Sequence, residues 1–112
     1  MSNSRLPDGV IPPVLTPLTA DQKVDVPALK ALIKHLIDGG SSALFVGGTA
    51  GLGSILTASD YELVVGTTLE TVPTGYPVLC GVLEPSTARA VERIKLLESL
   101  KVEFFVTVTP YY

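Results

Sequence analysis

Short apolar runs alternate along this chain with segments whose apolar residues recur at helical spacing, and that alternation restricts the fold more than any other feature. Val10 to Leu15 (VIPPVL) is the first run; Pro12 and Pro13 weaken it as a regular strand without excluding it at an edge or bulge. After Thr16-Pro17 and a polar turn, Asp25 is placed to cap a helix, with Pro27 tolerated in the first turn. Val26, Leu29, Leu32, Ile33, Leu36 and Ile37 then mark one helical face, and Gly39-Gly40 ends it. Ala43 to Val46 reads as a strand buried on both faces. Thr57 with Asp60, or Ser59 with Glu62, offers a capping-box start for a second helix carrying Leu63, Val64, Thr67 and Thr68, which stops before Pro73. Pro77 to Val82 is the next buried strand. Ser86 or Thr87 caps a third helix with Ala90, Val91, Ile94, Leu97 and Leu100 on its apolar side, and Phe104 to Thr109 closes the series as a fourth strand.

The pattern β-α-β-α-β-α-β, with mostly apolar strands, predicts an α/β fold of parallel strands joined by right-handed crossovers. It fits either a doubly wound sheet or part of a (β/α)8 barrel. A whole barrel needs about 250 residues. Four strands and three helices are therefore about half of one.

Composition narrows the function classes. The 112 residues, 46% hydrophobic, suffice for one domain with an ordinary core. A net charge of −3 with only eight Lys and Arg argues against nucleic acid as a partner. No apolar run is long enough to span a membrane, and MSNSRLPDGV lacks the pattern of a secretory signal. Cys80 is the sole cysteine, which fits a reducing, cytoplasmic setting.

The segment ALFVGGTAGLGSIL, Ala43 to Leu56, places its glycines straight after a strand, at the end where α/β proteins bind ligands. It has neither the G-x-G-x-x-G spacing of a dinucleotide loop nor the Lys-Ser/Thr pair of a phosphate loop. Two readings stay open: Gly48 and Thr49 present N–H groups and a hydroxyl to a small carboxylate, or the segment is a tight turn without a ligand. His35 reads as a surface or packed residue and Cys80 as an inert small hydrophobe. Lys23, Lys30, Lys34, Lys95 and Lys101 lie on helices or turns and read as solvated, so none is placed as a buried Schiff-base amine. Tyr111 and Tyr112 follow the last strand, either as proton-relaying phenols or as packing aromatics.

Four pieces, GVIPPVLTPL, VDVPALKALIKHLIDGG, FVGGTAGLGSILTASDYE and VTVTPYY, occur in an order and at spacings that resemble the N-terminal part of the dihydrodipicolinate synthase / N-acetylneuraminate lyase family. The resemblance runs from Gly9 to Tyr112. It implies a (β/α)8 barrel, commonly a homotetramer built as a dimer of dimers, that condenses or cleaves pyruvate or another 2-oxo acid through a lysine Schiff base. No metal or organic cofactor is implied, since the iminium itself withdraws the electrons. The family's loop motif, G-[ST]-[TSN]-G-E, falls on Gly48-Thr49-Ala50-Gly51-Leu52. Thr49 is thereby implied as a catalytic relay hydroxyl, and Gly48, Thr49 and Ala50 as lining the carboxylate pocket. The T-P-Y-Y segment falls on Thr109 to Tyr112 and makes Tyr112 the second catalytic residue, acting across a dimer interface.

Three positions depart from the family pattern: Ala50 replaces a hydroxyl residue, Leu52 replaces a glutamate, and Pro85 stands where many synthases have a small polar residue. They mark a divergent branch. The family's Y-N-x-P tyrosine and its Schiff-base lysine belong to later strands, so residues 1–112 are expected to be the N-terminal half of one barrel domain, truncated before that lysine and inactive alone. The alternative from another class is a non-catalytic half-barrel that binds a small carboxylate or a homologous partner. A small doubly wound domain is the third possibility.

Overall fold

The computed structural model describes residues 5–109 and Tyr111. The elements follow in the order α1 (Val26–Asp38), β1 (Leu44–Val46), α2 (Ala58–Thr71), β2 (Val78–Val82), α3 (Thr87–Ser99) and β3 (Phe104–Thr107). The three strands form one parallel sheet in the order β1-β2-β3, with Phe45 opposite Leu79 and Leu79 opposite Phe104. Strand order follows chain order without reversal among the described residues. A doubly wound sheet binds its ligand where that order reverses, and no such point occurs here.

The expected first strand is corrected. Val10 to Leu15 runs parallel beside β1 but forms only an isolated bridge, Pro13 to Phe45. Val14 N–H donates to Phe45 O at 2.8 Å, Phe45 N–H to Pro12 O at 3.1 Å, and Ser42 N–H to Val10 O at 2.8 Å. Pro12 and Pro13 have no N–H, so a continuous ladder cannot form there. The described chain therefore has three strands and three helices, with the first apolar run as a bridged fourth path.

Each helix starts where a side chain satisfies an otherwise unpaired amide. Asp25 accepts from Ala28 N, Thr57 from Asp60 N and Ser86 from Arg89 N. Thr57 and Ser86 are thus the caps among the alternatives the sequence allowed. α1 ends at Gly40, φ +97°, with Ser41 N–H returning to Leu36 O. α3 ends in the same way at Lys101, φ +65°, with Val102 N–H on Leu97 O, although Lys101 carries a side chain.

The core lies between the helices and one face of the sheet: Leu44 and Val46, then Val78, Cys80 and Val82, met by Leu29 and Ile33 of α1, Tyr61, Val64, Val65 and Thr68 of α2, and Leu97 of α3. Two expected core positions face out instead. Leu63 and Val91 are each 43% exposed. At 100° per residue, Leu63 points away from the 61-64-65-68 stripe, and Val91 lies well off the line of Arg93, Leu97 and Leu100. The opposite sheet face carries Phe45, Leu79 and Phe104 in one row.

Replacing Lys101 by glycine removes the left-handed strain at the end of α3. Lys101→Gly is expected to stabilise the protein by about 0.5–1 kcal/mol in urea unfolding. An unchanged midpoint would show that the turn relaxes without cost.

Candidate functional site

β1 ends at Val46, and residues 47–56 form a compact loop over the carboxyl ends of the strands. Glycine is required here by proximity. A Cβ on Gly53 or on Gly81 of β2 would collide with the Gly47 carbonyl oxygen, and one on Gly51 would lie 2.7 Å from Val14 O. Side chains set equally tight limits, since a Cβ on Gly48 would be 2.6 Å from the Phe45 ring and one on Gly47 2.7 Å from Tyr61. The loop backbone therefore lies directly on the strand ends.

Internal hydrogen bonds close the turn: Leu52 N–H to Thr49 O at 3.1 Å, Gly53 N–H to Gly48 O at 3.0 Å, and Leu56 N–H to Leu52 O at 3.0 Å. Leu52, half-buried, takes φ +63° in this turn. Three distant elements also grip the loop. The buried Thr16 hydroxyl donates to Gly51 O at 2.6 Å. Arg93 of α3 donates through Nη1 to Gly53 O at 2.9 Å. Tyr61 of α2 lies against Gly47 and donates its hydroxyl to Gly81 O at 2.7 Å.

Arg93 is itself held. Its Nη2 is 3.0 Å from Glu84 Oε1, with the two side chains 10% and 7% exposed, and its guanidinium sits 3.9 Å from the centre of the Tyr61 ring. The second Glu84 oxygen meets Arg89 Nε at 3.0 Å, and Arg89 stays largely in solvent. Burial, first of all, raises the Tyr61 phenol above its usual range, with Cys80 and Glu84 adding and Arg93 opposing. Tyr61 is thus a committed hydrogen-bond donor.

The expected site residues fall as follows. Gly48 is buried at the base of the loop, and Thr49 and Ala50 are exposed at its tip. Among the described residues, the N–H groups of Thr49 and Ala50 donate to no other group. The structure thus brings Gly48, Thr49 and Ala50 together on one open turn whose amides and single hydroxyl meet no partner among the described residues, a geometry suited to a small anion. Tyr112 lies outside the described residues. Tyr111 donates its hydroxyl to Leu83 O at 2.9 Å, tying the segment after β3 to the end of β2. His35 and the five lysines named above are exposed, and Cys80 is buried.

Sequence reasoning missed Thr16, Tyr61, Glu84 and Arg93. A signal existed for two of them: Glu84 follows an unbroken apolar strand, and Arg93 occupies the inward stripe of α3 with Leu97 and Leu100. An opening of about 400 Å³ at the other end of the strands, bordered by Arg5, Tyr76, Lys101 and Phe104, holds no unpartnered buried side chain among the described residues. No group of metal-ligating side chains and no helix long and apolar enough to cross a membrane occurs among them either.

A sequential parallel sheet with a gripped glycine loop over its carboxyl ends defines a β/α protein whose candidate site lies at the strand ends. This chain belongs to the dihydrodipicolinate synthetase family, whose model matches residues 6–112. It is 33% identical over 104 residues to the 4-hydroxy-tetrahydrodipicolinate synthase of Rickettsia akari, across 93% of this chain and 35% of that protein. Among solved structures it is similar to YagE of E. coli K12, a member of the same family solved in complex with pyruvate. That match has 33% identity and a TM-score of 0.86, covering 93% of this chain and 35% of YagE. It is also similar to the 2-keto 3-deoxygluconate aldolase of Picrophilus torridus, at 28% identity and a TM-score of 0.85, over 93% and 37% of the two chains. The chain thus spans about a third of the length of its relatives. The solved relatives are (β/α)8 barrels, and the three strands and three helices match about a third of their length.

Two outcomes test this packing. Gly81→Ala drives a methyl group into the Gly47 carbonyl and is expected to cost about 3 kcal/mol in chemical unfolding. Burial pushes the Cys80 thiol up from its ordinary 9.0 to about 12. The unfolded thiol ionises first, so its contribution to stability is complete below pH 9 and declines as the pH rises toward 12. Cys80 should resist iodoacetamide at pH 8 in the native protein and react once it is unfolded. Rapid native alkylation would contradict the buried strand position.

Proposed function

We propose that this chain is the amino-terminal part of a (β/α)8 lyase or aldolase that condenses or cleaves pyruvate, or a related 2-oxo acid, through a Schiff base on a lysine outside these 112 residues. The observation that carries the reading is the Gly48-Thr49-Ala50 turn, which holds free donors at the strand ends of a chain belonging to this family. In this reading the Thr49 and Ala50 amides and the Thr49 hydroxyl hold the 2-oxo acid carboxylate. Its C2 carbonyl faces the incoming lysine amine. Addition of the amine and loss of water give the iminium, and departure of a C3 proton gives the enamine that attacks an aldehyde carbon. In cleavage the same carbon–carbon bond breaks in reverse. Thr49 and Tyr112 pass the protons that these steps release and consume, with Tyr112 supplied across a dimer interface of a tetramer.

Ala50 offers no hydroxyl, so the carboxylate has one donor fewer than the family motif provides, and the backbone amides carry more of the recognition. Leu52 places a hydrocarbon where the motif has glutamate. Both changes favour a branch other than lysine biosynthesis. The solved and curated relatives are lyases and aldolases, which favours catalysis over a half-barrel that only binds a carboxylate. The sole, buried cysteine suits a cytoplasmic enzyme.

Incubation of the full-length protein with pyruvate and borohydride should add one reduced pyruvate to its intact mass. Thr49→Val should lower kcat by about 100-fold while leaving adduct formation detectable. Absence of any adduct in the unsubstituted protein would overturn the Schiff-base reading.

A further inference from the structure

Four of the loop carbonyls that carry the turn are occupied from within the protein. Gly48 O and Thr49 O accept from Gly53 and Leu52, Gly51 O accepts from Thr16, and Gly53 O accepts from Arg93. Holding a carbonyl fixes the plane of its own peptide unit. Gly53, held in this way, directs its N–H to Gly48 O, whose peptide unit carries the Thr49 N–H, and Leu52 beside it does the same for Thr49 O and the Ala50 N–H. Three of these carbonyls are held by local turn geometry or a short hydroxyl. The fourth, on Gly53, depends on a long side chain from a helix 40 residues further along.

We propose that Arg93, braced by Glu84 and Tyr61, is a positioning residue that sets the orientation of the Thr49 and Ala50 amides through its grip on Gly53. The proposal rests on the carboxylate-binding role assigned above to the turn. A buried Arg–Glu pair contributes little net stability, because desolvation offsets most of the attraction. What this pair supplies is direction. Glu84 takes one guanidinium nitrogen at 3.0 Å and leaves the other aimed at Gly53 O at 2.9 Å, while the Tyr61 ring fixes the guanidinium plane from one side. Tyr61 in turn is anchored to Gly81 O, in the strand on which the loop rests. Three elements, α2, β2 and α3, thereby converge on one loop carbonyl. A lysine at position 93 could carry the charge, but its single ammonium has no planar fork to join Glu84 and Gly53 in fixed geometry.

The test uses the full-length protein with pyruvate as the probe, comparing wild type with Arg93→Lys and with the milder Glu84→Gln. Arg93→Lys should raise KM for pyruvate about tenfold and leave kcat within about threefold, while Glu84→Gln should raise KM about threefold. Amide hydrogen exchange should accelerate at Leu52 and Gly53 and stay unchanged in α1. A merely structural role would instead accelerate exchange in all three helices and lower activity without a KM-against-kcat split, which would overturn the proposal. Unchanged KM and unchanged exchange at Leu52 and Gly53 in a folded variant would overturn it equally. If Arg93→Lys does not fold, Glu84→Gln, which keeps the side-chain shape, decides. If wild type forms no pyruvate adduct, the carboxylate reading fails, and loop exchange, which needs no substrate, still decides whether Arg93 holds the turn.

Discussion

The carbonyl oxygen of Gly47 occupies a point where three chain segments meet with no room for a side chain. Gly53 returns over it from the loop, and Gly81 of β2 passes beside it, and a Cβ on either would collide with it. From that contact the rest follows. The loop must fold flat on the strand ends, several of its carbonyls are taken by partners within the protein, and Thr49 and Ala50 are left exposed with amides that meet no partner among the described residues. The same closeness brings Tyr61 onto Gly47 and Phe45 beneath Gly48. A surface suited to an anion thus arises from backbone packing rather than from a cluster of cations.

Beneath this surface lies a charged but neutralised layer. Glu84 and Arg93 are nearly buried and paired, and Arg89 completes the carboxylate from the solvent side. Among the described residues every buried side-chain polar atom has a partner. A buried layer whose polar groups are all satisfied resists reorganisation and so holds the exposed turn above it in one geometry. The departures at Ala50 and Leu52 sit on the outer part of the turn. They alter the side chains that the turn carries and leave the layer beneath it intact.

Helix starts were readable because a cap is a local event: Asp25, Thr57 and Ser86 each satisfy an amide three residues ahead. The sheet was readable nearly as well, since a strand covered on both faces is apolar throughout, as β2 is. The first run was the exception. Its apolar content is right for a strand, and only the two prolines decide that it ends as a bridge. Leu63 and Val91 escaped for a different reason. Apolar residues next to an inward stripe look the same in sequence as those on it, and only packing separates them.

By itself, the sequence determined the alternation of elements, the helix caps, the position of a glycine loop after β1 and the family to which the chain belongs, because each depends on residues close together in the chain or on their order. Tertiary structure alone decided what holds the loop. Thr16, Tyr61, Glu84 and Arg93 come from four separate segments, and their roles depend on distances of about 3 Å across the fold. No spacing along a chain encodes such a distance. It arises when parallel strands bring their carboxyl ends to one side and the helices between them deliver their side chains to the same place.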